Sequence, residues 1–152
     1  MINEQDIEYM MHAVAMAKEA GKMDEVPVGA IIVHNGEIIA RACNMREKSK
    51  CATKHAEIVA IEEACKKLGG WRLPDCIMYV TLEPCIMCAG AIINARIDRV
   101  VFGAYDEKSG AFGSVINASE LKLNHKTISD GNCLSDECKN ILGEYFRNKR
   151  KK

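Results

Sequence analysis

Residues Cys76-Ile77-Met78-Tyr79-Val80-Thr81-Leu82-Glu83-Pro84-Cys85-Ile86-Met87-Cys88-Ala89-Gly90-Ala91-Ile92-Ile93 decide the fold. Cys76 to Leu82 has few polar residues, as expected of a central strand covered on both faces. Pro84 suits the first turn of a short helix that runs through Ile93. Cys85 and Cys88 are three apart on that helix, so they share a face and can hold one ion. Cys85 falls in the first turn and Cys88 just after it, where the helix dipole and free N–H groups favour thiolate over thiol.

Upstream, His55-Ala56-Glu57 lies near the start of a second predicted helix, from about Lys54 to Leu68. Ile58, Ile61, Cys65 and Leu68 are expected to face inward on it, and Gly69-Gly70 stops it. His55, Cys85 and Cys88 supply one imidazole and two thiols, a donor set that favours zinc. Three ligands leave a fourth tetrahedral position open, the mark of a catalytic site. The spacing H-x-E…P-C-x-x-C is the established signature of zinc nucleobase deaminases. Two thiolates cancel the ion's charge, and zinc can still lower the pKa of water from ~15.7 to about 7. Glu57 stands two residues after His55. As a ligand it would leave no position for water, so it is assigned as the proton carrier: it takes a proton from water, delivers it to a ring nitrogen and helps protonate the departing amine. If both helix starts converge at the strand ends, the site lies where open α/β sheets place theirs. A redox pair or a structural zinc knuckle would also use Cys-x-x-Cys. The first explains neither His55 nor Glu57. The second needs a fourth ligand, for which His34, His125, Cys133 and Cys138 are the candidates on paper.

Elsewhere, Asn3 caps a first helix on which Ile7, Met10, Met11, Val14 and Ala17 recur at helical spacing until Gly21. His12 on it is read as an ordinary surface or packing residue. Val26 to Val33 and Glu37 to Cys43 are β-rich runs joined at Asn35-Gly36, a strong hairpin signal. Asn44 to Thr53 is polar and predicts a loop. Arg99 to Phe102 predicts a strand, Gly103 to Gly113 a glycine-rich loop, Lys126 to Ser129 a late strand, and Leu134 to Arg147 a final helix with Ile141, Leu142, Tyr145 and Phe146 inward or at an interface. The order predicts an α/β domain of three layers, with a mixed sheet between helices, over residues 1–152.

Bulk properties set bounds. A chain of 152 residues suits one domain. Lys+Arg and Asp+Glu balance at 21 each, so a nucleic-acid partner needs a local basic patch. Arg147, Lys149, Arg150, Lys151 and Lys152 form one, although a solvated, frayed tail reads the same way. The start Met1-Ile2-Asn3-Glu4-Gln5-Asp6 is acidic, without a secretory pattern, and no stretch is apolar enough to span a membrane. A reducing cytoplasm is expected, with Cys43, Cys51, Cys65, Cys76, Cys133 and Cys138 as free, buried or half-buried thiols.

With these motifs the chain resembles the cytidine/deoxycytidylate deaminase superfamily, and within it the bacterial tRNA-specific adenosine deaminase family. The resemblance runs through Asp24-Glu25-Val26-Pro27-Val28-Gly29-Ala30, His55-Ala56-Glu57, Val80 to Ala91, Arg99 to Ala104, Asp106, Lys108, Gly110, Gly113-Ser114, Asn124-His125 and Tyr145-Phe146-Arg147. It implies a cytidine deaminase-like fold with a five-stranded sheet, and a homodimer that converts adenosine to inosine at the wobble position of a tRNA anticodon, most often an arginine tRNA. It implies one zinc ion per subunit on His55, Cys85 and Cys88, with Glu57 as proton donor. Asn44 matches a position that contacts the target nucleoside. Val28 and Ala56 match positions lining the base pocket. Asp106, Asn124 and Arg147 fall in segments that hold the anticodon stem-loop. Tyr105, Phe112, Tyr145 and Phe146 are candidates for stacking on splayed bases, with core or dimer packing as the plain alternative, and Lys108, Arg147 and Lys149 for meeting phosphates. Tyr105 and Phe112 stand where relatives often carry an arginine and a smaller residue, and Lys54 stands where many have a small one. These changes leave the chemistry intact and bear on contacts around the target. Two other functions share parts of the pattern: a deaminase of guanine or a free nucleoside, and a binding module with a structural zinc.

Overall fold

The computed structural model describes residues 1–150; Lys151 and Lys152, the end of the basic run, lie outside the described residues. Helix α1 spans Glu4–Lys22, opened by a capping box in which Asn3 and Asp6 exchange side-chain-to-backbone bonds. Its buried stripe is Asp6, Met10, Ala13, Val14, Ala17 and Ala20. Ile7 and Met11, expected inward, are 39% and 59% exposed. The cause is the closeness of α1 to the first strand. A Cβ on Gly29 would stand 2.0 Å from the Ala13 carbonyl oxygen. Ala13 and Ala17 stand at that contact, and Met10 and Val14 are buried beside them.

Strands β1 (Gly29–His34) and β2 (Glu37–Cys43) form the expected hairpin. Asn35 and Gly36 have φ of 47° and 82°, the positive values that a type I′ turn requires. β1 starts at Gly29 rather than Val26. The Val28 N–H is turned back to the Val26 carbonyl at 2.8 Å, and Pro27 has no N–H to give a ladder. The polar stretch after β2 is mostly loop but contains a short helix, α2 (Arg46–Ser49).

Helix α3 spans Ala56–Leu68 and ends at Gly69 with φ of 77°. It buries Ala56, Glu57, Ala60 and Ala64. Ile58, Ile61 and Cys65 are half-buried and Leu68 is exposed. The apolar face that meets the sheet is the one with short side chains, and the larger apolar residues flank it. Strand β3 (Cys76–Leu82), helix α4 (Ile86–Asn94) and strand β4 (Arg99–Ala104) make a parallel crossover. After a 3₁₀ turn at Ala118–Glu120 come β5 (Ile128–Asp130) and α5 (Ser135–Arg150).

The sheet order is β2-β1-β3-β4-β5. β1 is antiparallel to both its neighbours, whereas β3, β4 and β5 run parallel, so the sheet is mixed as expected. One face packs α3 and α4 through Ala60, Ala64, Ala89 and Ile92 against Ile32, Met78, Val80 and Val100. The other packs α1 and α5 through Met10, Val14 and Cys138 against Ile31, Tyr79 and Val101. Alternate residues of β1 and β3 thus serve opposite cores, as the pleat demands.

Candidate active site

The register places the site. Ala30 pairs with Val80 across β1 and β3, which sets Val28 beside Leu82 at that end of the sheet. Asn44, one residue past β2, donates its N–H to the Val28 carbonyl at 3.1 Å. The starts of α3 and α4 open on this end.

His55 and Cys85 are the N-cap residues of α3 and α4, both extended (ψ 157° and 175°) and neither spending its side chain on a cap bond. Cys85 therefore stands one residue before the helix rather than inside its first turn, and Pro84 precedes it. Cys88 lies in the first turn of α4. The Nδ1 of His55 is 3.7 Å from Cys85 Sγ and 3.5 Å from Cys88 Sγ. The three donor atoms all fall within 4.8 Å of one another, a cluster able to hold one metal ion. No fourth His, Cys, Asp or Glu joins this cluster among the described residues. The paper candidates for a closing ligand are elsewhere. His34 Nδ1 is 3.0 Å from the Pro74 carbonyl, His125 Nε2 is 2.8 Å from that of Ile97, Cys133 contacts the Asp6 carbonyl, and Cys138 sits in the α1–α5 core.

Charge is finely divided here. The bond from the Cys88 thiol, then that from His55, draws the Cys85 sulfur down to about 4 despite burial. The same bond pushes Cys88 upward. The His55 imidazole is raised by its bond to Cys85. Glu57 is the second residue of α3 and only 4% exposed. Burial pushes its carboxyl from 4.5 to about 7.

Val28, Asn44, Ala56, Leu82, Asp106 and Ser109 line the cleft with these groups. Val28 and Ala56 are buried apolar walls. Asn44 is buried too, its Oδ1 accepting the Arg46 N–H at 3.2 Å. Asp106 stands at the rim, where its carboxylate accepts the N–H groups of Lys108 and Ser109 and the Ser109 hydroxyl at 3.1 to 3.3 Å. Two sequence candidates are not at the cleft. Asn124 is exposed before β5, next to His125 at the opposite end of β4 from Ala104. Arg147 is exposed on α5. Of the aromatics, Tyr105 and Phe146 are 47% and 45% exposed, whereas Phe112 is a core residue. Packing is thus the right reading for Phe112. Arg147, Lys149 and Arg150 form the last turns of α5 rather than a frayed tail, and Lys149 pairs with Asp24 at 3.3 Å.

Two functional-looking residues escaped the sequence. Glu25 is 1% exposed and accepts the N–H groups of Glu47 and Lys48 at 3.0 and 2.7 Å, capping α2 from across the chain. Glu83 is 2% exposed and accepts N–H groups from Asp106, Phe112 and Ser114. Each pins one wall of the cleft. The one trace in the sequence is Glu83 itself, an acid wedged between an apolar strand and the Pro84-Cys85 turn.

The family model of the MafB19-like deaminases matches residues 4–150. The chain is 49% identical over 149 residues to a tRNA-specific adenosine deaminase of Bacillus subtilis, covering 97% of this chain and 92% of the relative. The chain belongs to the tRNA-specific adenosine deaminase family. A second relative of that name, from Aquifex aeolicus, is 46% identical over 143 residues, with 93% and 94% of the two chains covered. A solved structure from work on A-to-I editing by tRNA:A34 deaminases at the wobble position matches this deaminase with a TM-score of 0.86 at 43% identity, covering 89% of this chain and 99% of that one. The deaminase has the cytidine deaminase-like α/β fold expected from its motifs.

Proposed function

We propose that the protein hydrolyses the 6-amino group of adenosine at the wobble position of a tRNA anticodon, an arginine tRNA first among them, giving inosine and ammonia. One observation carries the reading: three donors from two helix starts meet within 4.8 Å, with no fourth ligand among the described residues and a buried carboxyl beside them. One imidazole and two thiols, one already drawn toward thiolate, fit a single zinc ion per subunit on His55, Cys85 and Cys88. When bound, zinc supplies a Lewis acid that lowers the pKa of water from ~15.7 to about 7.

The chain's own residues do the rest. Glu57, buried beside the donors, is the group that accepts and returns protons. It hands one to the purine ring nitrogen and one to the leaving amine. Val28 and Ala56 hold the flipped base in an apolar slot. The Asn44 amide offers a donor and an acceptor to the nucleoside. Tyr105 and Phe146 present ring faces to splayed neighbours, Asp106 and Ser109 shape the rim, and Lys108 and Arg147 meet phosphates. Asn124 lies away from its own cleft and reaches a bound anticodon loop only from a second copy, which a homodimer provides. Among the described residues no helix is long and apolar enough to cross a membrane. Eight cysteines with no disulfide among them suit the reducing cytoplasm where tRNA is processed.

The test is to incubate the zinc-loaded chain with an anticodon stem-loop carrying adenosine at the wobble position, and separately with free adenosine, cytidine and guanine. Inosine at that one position, with the free compounds untouched, is expected. Deamination of guanine with the RNA unchanged would replace this function by a small-molecule one. Metal analysis should find one zinc per chain, lost in His55→Ala.

A further inference from the structure

We propose that Glu83 is a positioning residue, whose buried carboxylate holds residues 105–114 in the shape that presents Asp106 and Ser109 to the cleft. The proposal rests on the function above only for its choice of substrate.

Glu83 stands between the last residue of β3 and the Pro84-Cys85 turn. Its Oε1 accepts the Asp106 N–H at 3.0 Å and the Ser114 hydroxyl. Its Oε2 accepts the N–H groups of Phe112 and Ser114 at 3.0 and 3.1 Å. No cation pairs with it among the described residues. The charge is met by three amides and one hydroxyl, all from a single loop. A buried carboxylate without a counter-ion is costly, and bonds from N–H groups to a charged acceptor are stronger than neutral ones. The loop is therefore drawn around the carboxylate rather than leaning on it. Gly110 shows how tightly: a Cβ there would lie 2.2 Å from the Glu83 carboxyl carbon.

The same loop is tied to the strand end by backbone. Glu83 donates its N–H to the Ala104 carbonyl, and Ala111 donates to the Pro84 carbonyl, each at 2.8 Å. Asp106 spends its own carboxylate on Lys108 and Ser109, so that turn is rigid within itself. Beside those backbone ties, the Asp106 N–H on Glu83 is the side-chain bond that holds the turn next to Cys85. The carboxylate and these backbone bonds together set the distance between the Cys85 turn and the Asp106–Ser109 rim.

Glu83→Gln tests this. The amide keeps one acceptor and turns an NH₂ toward N–H donors. Three readouts are taken on the full chain: zinc content, amide exchange, and kcat and KM on the stem-loop. Exchange should rise at residues 106, 112 and 114 while β1 and β3 stay protected. Zinc should stay at one per chain. KM should rise about 10- to 100-fold, the loss of one or two charge-assisted bonds, with kcat changing far less. A folded variant with wild-type KM and wild-type exchange at those amides overturns the proposal, even if its melting temperature falls. Should Glu83→Gln fail to fold, Ser114→Ala removes one donor and Gly110→Ala crowds the carboxylate. Each should raise KM in the same direction, and wild-type KM in both overturns it. If the wild-type chain leaves the RNA unchanged, the functional reading fails, and the exchange pattern alone decides the role of Glu83.

Discussion

Arg99 grips Asp6 with two guanidinium nitrogens, each 2.9 Å from a different carboxylate oxygen. The pair is 93 positions apart in the chain and pins α1 to the start of β4. Asp6 also accepts the Tyr79 hydroxyl at 2.8 Å and the Asn3 N–H at 3.0 Å, while Arg99 Nε reaches Asp130 at 2.9 Å. Burial alone would raise the Asp6 carboxyl, but the bonds from Arg99, Tyr79 and Asn3 outweigh it and hold it below 3.8.

Arg99→Met strands that buried carboxylate. We expect a loss of ~3–5 kcal/mol in urea unfolding. The pH dependence has a fixed sign. A depressed carboxyl stabilises above its unfolded value and loses that contribution as pH falls through its folded value. Wild-type stability should therefore drop below about pH 4, and Arg99→Met should show a shallower drop. Equal slopes would mean that Asp6 is not held down by Arg99.

Gly29→Ala drives a methyl into backbone atoms of α1, 2.0 Å from the Ala13 oxygen and 2.4 Å from the Ala17 nitrogen. Backbone cannot swing aside as a side-chain tip can. The expected cost is at least ~1–3 kcal/mol, read as a lower melting temperature. An unchanged melting temperature would show that α1 is free to back away from β1.

Glu57→Ala should abolish deamination while zinc stays bound, since the carboxylate is outside the donor cluster. Metal analysis and a product assay on the same preparation check both halves. Zinc lost together with activity would make Glu57 a ligand.

The zinc-stripped protein should reveal Glu57 in a second way. Its carboxyl rises from 4.5 to about 7 in the fold, so the native chain keeps a proton that the unfolded chain has released. That stabilisation is full below 4.5 and is lost as pH climbs to 7, up to about 3 kcal/mol. Glu57→Gln should flatten this part of the profile. Parallel profiles for the two proteins would place the titration on another group.

RNA affinity should fall steeply with salt, because phosphate contacts release counterions. Arg147→Ala and Lys108→Ala should each reduce the slope of log K against log salt by ~0.7. Unchanged slopes in both would move the phosphate contacts off Lys108 and the end of α5.

The residues that announce the chemistry were legible because each is local. His55 and Glu57 are two apart, Cys85 and Cys88 three apart, and such spacings act through one helix start. Asn3, Asn35-Gly36 and Gly69 were legible for the same reason: caps and turns are short-range devices of φ and hydrogen bonding. The inward stripe of α3 was not, and that of α1 was legible only in part: Met10, Val14 and Ala17 are buried as read, Ile7 and Met11 are not. Counting apolar residues favours Ile58 and Leu68 on α3, whereas the sheet takes Ala60 and Ala64 there, because close helix–sheet approach rewards small side chains.

The sequence by itself determined the hairpin and the alternation of helices and strands, and it singled out the His55, Cys85 and Cys88 donors that the fold brings within 4.8 Å of one another, with Glu57 nominated beside them as the proton carrier. Only the tertiary structure decided that both N-caps face one another, that Phe112 is buried while Tyr105 and Phe146 are open, and that Asp6, Glu25 and Glu83 are interior anchors. The physical reason is range. A cap or a turn is fixed by neighbours within a few residues, but whether a carboxylate is a solvated charge or a buried clasp depends on donors that arrive from distant parts of the chain.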